Sequence, residues 1–109
     1  MQENRALRTL SVIQSSFLPW FGYFGMMKIS SNFIILDDVQ FDKNGWRNRN
    51  RINRNGEYQW LTVPVRLGKT SGPRIRDVEI DYSQKWIPKI LGSIESNYGR
   101  SPHYSYFAD

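Results

Sequence analysis

An acidic doublet, Asp37-Asp38, precedes an alternating basic-amide run, Arg47-Asn48-Arg49-Asn50-Arg51. Consecutive long polar side chains lose rotamer entropy when ordered and return little apolar burial. The expected use of the run is to hold something charged or strongly hydrogen-bonding. As an extended strand it puts all its arginines on one face and Asn48, Asn50 and Ile52 on the other; as a helix, Arg47, Arg51 and Arg54 share a face. Either arrangement can fork onto phosphate. The competing use is a solvated basic edge that discourages strand aggregation, for which asparagine is a poor choice. On a continuing strand Asp37 and Asp38 point to opposite sides, so one of them faces a crevice as a general base, or as an acceptor for sugar hydroxyls or an amine. The alternative for each aspartate is pairing with Arg47, Arg49 or Arg51. Adding Asp42 makes a set of three acids, but loops often carry such sets and no metal site is assigned. No cofactor is expected.

These groups need elements to aim them. Leu10–Gln14 reads as a strand. Pro19 suits the first position of a helix that runs from Trp20 to about Ser30, with Trp20, Phe21, Phe24 and Met27 at helical spacing. Gly22 and Gly25 weaken that helix and suggest close approach by a neighbour. Phe33–Leu36 reads as a buried strand whose end emerges at the aspartates. Strand, helix and strand make a right-handed βαβ unit. Its two strand ends would deliver Gln14, Ser15 and Ser16 beside Asp37, Asp38 and Gln40, at the edge where open α/β sheets bind ligands. The helix start would face the same crevice, a seat for phosphate or carboxylate.

Further along, Asn53–Gly56 is a turn signal and Tyr58–Val65 a strand, with Pro64 near its end. Ile75–Ile80 reads as an edge strand. Asp81 or Ser83 caps a helix whose apolar face is Trp86, Ile87, Ile90, Leu91, Ile94 and Tyr98. Pro88 delays or bends its first turn, and Gly99 stops it. The expected class is α/β: an N-terminal βαβ unit with a mixed sheet extended by a β-hairpin and a packing helix. Residues 1–9 are expected to be a flexible segment and 10–109 a single domain.

Composition bounds the function. The 109 residues allow one modest core, which four Trp, six Phe and six Tyr help to build. The net charge of +5 suits an anionic partner as well as plain solubility. The absence of cysteine excludes disulfides, thiolate metal sites and a thiol nucleophile. No run approaches membrane-spanning length and the start lacks a signal-peptide core, so the expected location is cytoplasmic. Trp46 and Trp60 could stack on a base or sugar, although Trp60 and Trp86 read as core. His103, the sole histidine, reads as packing or surface. No serine-hydrolase order, zinc spacing or phosphate-cradling glycine loop occurs.

Four stretches, VIQSSFLPWFGYF (12–24), FIILDDVQFDKNGWRNRNRI (33–52), GEYQWLTVPV (56–65) and IDYSQKWIPKILGSIESNYGRSPHYSYF (80–107), together resemble the WbqC-like protein family. The middle stretch is the specific one. The resemblance implies a role in bacterial surface-polysaccharide (O-antigen) biosynthesis: a transferase-type enzyme acting on a nucleotide-activated or phosphorylated sugar. It implies ligand-binding positions at Gln14, Trp20, Tyr23, Gln40, Trp46, Asn48, Arg49, Asn50 and Arg51, with Asp37 and Asp38 as the catalytic candidates. Pro19 and Gly22 match as well. The chain departs from the family pattern at Ser15, Phe17 and Ile90, where a proline, a tyrosine and a histidine are usual. Family members are longer, so the chain is expected to match the N-terminal half of the family fold, with an exposed apolar surface or an oligomeric partner. The competing readings are a nucleic-acid-binding module built on the arginine run and a non-catalytic interaction domain.

Overall fold

Two short parallel strands and the helix between them build the first part of the chain. A computed structural model describes residues 7–69 and 71–109, so residues 1–6 of the expected flexible segment lie outside the described residues. Strand β1 (Leu10–Ile13) leads through a connector to helix α1 (Phe21–Ile29), and strand β2 (Asn32–Ile35) returns parallel to β1. The register pairs Val12 with Ile34 and Ile13 with Ile35. Both strand ends therefore lie on one edge, and the Leu36 N–H extends the ladder to the Ile13 carbonyl at 2.8 Å. Thr9 ties in the entry to β1: its hydroxyl donates to the Ile29 carbonyl and accepts from the Ser31 N–H.

Helix α1 starts at Phe21 with Trp20 as its extended N-cap, so Pro19 precedes the helix instead of occupying its first position. Its buried residue is Tyr23, which meets Phe33 of β2 edge-on at 5.5 Å. The expectation of a buried β2 is not met, because Ile34, Ile35 and Leu36 are all exposed. Helix α1 lies on one side of the strand pair only, and a parallel pair needs cover on both.

Strands β3 (Arg49–Arg54) and β4 (Glu57–Thr62) form an antiparallel hairpin. Asn55 and Gly56 turn it with φ of 51° and 82°. Both values are left-handed, the requirement of a tight two-residue hairpin turn, which Asn-Gly meets at little steric cost. Pro64 lacks the N–H needed to continue the ladder, and pairing resumes in β5 (Val65–Arg66) against β6 (Glu79–Ile80). The expected strand over 75–80 is half turn: Ile75–Asp77 is a single 3₁₀ turn before β6. The Arg74 guanidinium bonds Asp77 at 3.0 Å across that turn, which competes with extension.

Helix α2 (Trp86–Tyr98) packs on the hairpin, and α3 (Tyr104–Phe107) follows. Ile90 is buried with Ile52, Leu61 and Val63, flanked by Phe17, Trp86, Ile94 and Tyr98. The buried stripe runs in steps of four residues through Trp86, Ile90, Ile94 and Tyr98, whereas Ile87 and Leu91 are exposed. Asp81 does not cap α2, whose N-cap position is Lys85. Its carboxylate closes the preceding turn instead, accepting from the Ser83 N–H and hydroxyl and from the Gln84 amide. Pro88 sits within the first turn, where its absent N–H has no intrahelical partner to lose. The class is α/β, with the mixed pairing divided among three two-stranded sheets.

Candidate functional site

The parallel strand ends are locked together by Asp37. Its carboxylate accepts from the Ser15 N–H at 3.1 Å and from the Ser15 hydroxyl at 2.7 and 2.6 Å. Asp38, in the bend after β2, points elsewhere and pairs with Arg74 at 2.9 Å and Arg76 at 3.5 Å. Neither aspartate pairs with Arg47, Arg49 or Arg51. The hydrogen bond that Arg74 donates to Asp77, with the charges of Asp77 and then Asp38 adding to it, raises the Arg74 pKa above its ordinary value.

The segment before β3 is laced to the connector between β1 and α1. The Trp46 carbonyl accepts from the Phe17 N–H at 3.1 Å and the Ser16 hydroxyl at 3.2 Å. The Arg47 guanidinium donates to the Ser15 carbonyl. The Asn50 amide donates to the carbonyls of Phe17 and Leu18 at 3.2 and 2.7 Å. Leu18 has a φ of 46°, a left-handed conformation that a leucine adopts only at a cost of order 1–2 kcal/mol. The Asn50 contact holds that bend, which turns the chain into Pro19 and α1.

A cavity of about 320 Å³ opens beside this lacing, lined by Ile13, Gln14, Ser16, Trp20, Tyr23, Trp46, Arg47 and Asn50. The β1 end supplies Gln14, the first turn of α1 supplies Trp20 and Tyr23, and the approach to β3 supplies Trp46, Arg47 and Asn50. Its walls are mainly apolar, with a few convergent donors, the usual make-up of a small-molecule site. Gly22 matters to this wall. A Cβ built there would lie 1.9 Å from Cζ3 of Trp20, so only glycine leaves the indole its present place.

Arg47, Arg49 and Arg51 stay free of carboxylates among the described residues, and the last two lie on aromatic rings. Trp46 and Trp60 stack at 5.6 Å with 28° between planes. The Arg49 guanidinium lies 4.3 Å from the Trp60 ring centre. That of Arg51 lies 4.4 Å from Tyr58, 5.4 Å from Trp60 and 5.5 Å from Trp46. Trp60 is therefore part of an open ladder and not core, because Arg51 faces it directly across the hairpin. Arg49 also donates to the Asn44 carbonyl at 2.7 Å.

Five of the sequence-derived ligand positions thus line one cavity: Gln14, Trp20, Tyr23, Trp46 and Asn50. Asn48 does not; its amide donates to the Val63 carbonyl at 2.9 Å, bridging to the end of β4. Gln40 lies apart, in an isolated bridge with Arg74 and lining a different hollow with Phe41 and Lys43. Arg49 and Arg51 line neither, and neither Asp37 nor Asp38 lines either hollow. Arg47 belongs to the basic run read as a phosphate holder but not to the resemblance-derived ligand positions, and Tyr58 belongs to neither. Counting back from the Asn-Gly turn gives the hairpin register and so predicts the stack of Arg51 with Trp60 and diagonal Tyr58.

No helix among the described residues is long and apolar enough to cross a membrane. No solved structure matches the chain. An uncharacterized protein of Mycobacterium tuberculosis is 37% identical over 103 residues, which is 94% of this chain and 44% of that protein. The chain thus spans less than half the length of that curated relative. The WbqC-like protein family matches residues 14–109, from the cavity-lining glutamine through the hairpin and both later helices. With nearly the whole fold inside that match, the chain belongs to the WbqC-like protein family.

Proposed function

We propose that the cavity between the β1 end, the α1 start and Trp46 binds a phosphorylated or nucleotide-activated sugar, within a transferase-type enzyme of bacterial surface-polysaccharide biosynthesis. The observation that carries this is the convergence of Gln14, Trp20, Tyr23, Trp46, Arg47 and Asn50 on one hollow of about 320 Å³. An indole face stacks on the apolar side of a sugar ring, amide groups read hydroxyls, and a guanidinium takes phosphate. Asp37, which lies outside the lining, positions the cavity rim in this reading, because it grips Ser15 between two lining residues, Gln14 and Ser16. Asp38 is assigned to anchoring the 74–77 turn.

Thermal-shift titration with nucleotide sugars tests the proposal. Binding should raise the melting temperature by mass action. Trp46→Ala and Arg47→Ala should each weaken it, the latter by about 10–100-fold if one charge-assisted contact of about 1.5–3 kcal/mol is lost. No shift with any nucleotide sugar or sugar phosphate would overturn the reading.

The carboxylate-free ladder of Arg49 and Arg51 favours a second reading, single-stranded nucleic acid stacked on Trp60 and Tyr58. It requires oligonucleotide affinity that falls steeply with salt and falls again in Arg51→Ala.

A further inference from the structure

The hairpin carries two arginines whose charge nothing among the described residues neutralises. Arg49 and Arg51 stand two apart on one face of β3, about 6.5 Å from each other along the strand. The ion pairs of the described residues use Arg66, Arg74 and Arg76 and leave both of them out. Like charges so close repel, and an anion between them turns the repulsion into attraction.

Aromatic rings hold the two cations in place. Arg49 lies 4.3 Å over Trp60, and Arg51 lies 4.4 Å over Tyr58. The pose is costly for Arg49, whose Nε–H is buried with no acceptor among the described residues. An arginine that serves solubility alone avoids this by turning outward. The platform is also continuous with the cavity. Trp46 lines the cavity and stacks on Trp60, and the Arg51 guanidinium lies 5.5 Å from Trp46. Beyond Arg51, Tyr58 is 75% exposed and offers a ring on which any base can stack.

We propose that Arg49 and Arg51 are the seat of a diphosphate and Tyr58 that of a base, so that the ladder takes a nucleoside diphosphate. The inference rests on the reading that the cavity takes the sugar of the same ligand, and it narrows that ligand to a nucleoside diphosphate sugar. Each planar guanidinium forks onto one phosphate. Two adjoining forks match two adjoining phosphates, whereas a lone phosphate or a carboxylate leaves one cation unmatched.

Isothermal titration at about 0.15 M salt, where loose polyanion attraction is screened, tests the proposal. The titrants are uridine, guanosine, cytidine and thymidine diphosphates, their hexose conjugates, the matching hexose 1-phosphates and a single-stranded oligothymidylate. At least one nucleoside diphosphate should bind, and its hexose conjugate should bind more tightly. Arg51→Ala should weaken both at least tenfold and leave any hexose 1-phosphate affinity unchanged. Arg66→Ala, on β5, removes the same charge and should change nothing. Trp20→Ala should weaken the conjugate and spare the free nucleoside diphosphate. Nucleoside diphosphate affinity that survives Arg51→Ala would overturn the seat. So would a hexose 1-phosphate that binds through Trp20 while no nucleoside diphosphate binds, which leaves the cavity reading standing. A nucleoside diphosphate that needs Arg51 and gains nothing from its hexose would support the seat and overturn the cavity reading. Oligothymidylate binding tighter than that of every nucleoside diphosphate would overturn the seat in favour of a nucleic-acid surface.

Discussion

Trp20 and Gly22 act as a pair at the mouth of the cavity. The indole occupies the volume that any side chain at position 22 would need. Because Trp20 is 66% exposed, it can swing away at small cost. Alanine also favours a helix over glycine by about 1 kcal/mol. Gly22→Ala should therefore leave the melting temperature unchanged or higher while displacing the indole. Acrylamide quenching of tryptophan emission should report the displacement, and affinity at the cavity should fall. Asn50→Ala should behave in the opposite way. It removes two hydrogen bonds to the left-handed bend at Phe17–Leu18 and should cost about 1–3 kcal/mol in denaturant melts. Asp81 gives a pH prediction. Hydrogen bonds from the Ser83 hydroxyl and backbone lower its pKa from 3.8 to about 2. Its contribution to the turn before α2 is thus complete above about pH 4 and is lost as pH falls through about 2. Carboxyl chemical shifts of Asp81, followed with the Ser83 amide, should show both changes in that window.

The elements that positioned the site were legible where local chemistry and packing agree. The hairpin turn at Asn55-Gly56 is set by φ preference and lies within the turn signal Asn53–Gly56, whereas Pro19, read as the first helical residue, lies one residue before the Trp20 N-cap. The parallel pair followed from two apolar runs flanking a helix, and with it the meeting of Gln14, Ser15 and Asp37 at one edge. Long-range pairing was not legible. The Asp38–Arg74 bond joins positions far apart in the chain, and nothing in LDDVQ or GPRIRD marks the partner. The same is true of Asn48, whose bridge to Val63 depends on where Pro64 ends the hairpin. Asp81 was misread because an aspartate that closes a turn and one that caps a helix share the same spacing to Gln84. At this scale Gly56→Val should destabilise the hairpin by at least about 1 kcal/mol, since a β-branched residue resists a φ of 82°. Ile90→Ala should cost about 2–5 kcal/mol by opening the core between α2 and the hairpin. Denaturant unfolding with hairpin-specific hydrogen exchange distinguishes the two.

Across the whole molecule, burial is uneven. The core of Ile52, Leu61, Val63 and Ile90 lies between the hairpin and α2, whereas among the described residues β1 and β2 are backed by α1. The extents of 60 × 45 × 25 Å fit an open arrangement of parts more than a ball. Local opening should follow that division. Amides of β3, β4 and α2 should exchange slowest in the isolated chain, and those of β1, β2 and α1 well before them. A single uniform protection level would contradict this. The net charge of +5 adds a further expectation: weak affinity for polyanions that disappears near physiological salt, distinct from any salt-resistant binding of a small ligand in the cavity.

Trp46 belongs both to the cavity wall and to the aromatic stack with Trp60. Two indoles so close couple their electronic transitions, and the coupling depends steeply on their mutual angle. A guest that nudges Trp46 would therefore be announced as a change in exciton dichroism near 225 nm, with no label and no need to know the chemistry of the guest.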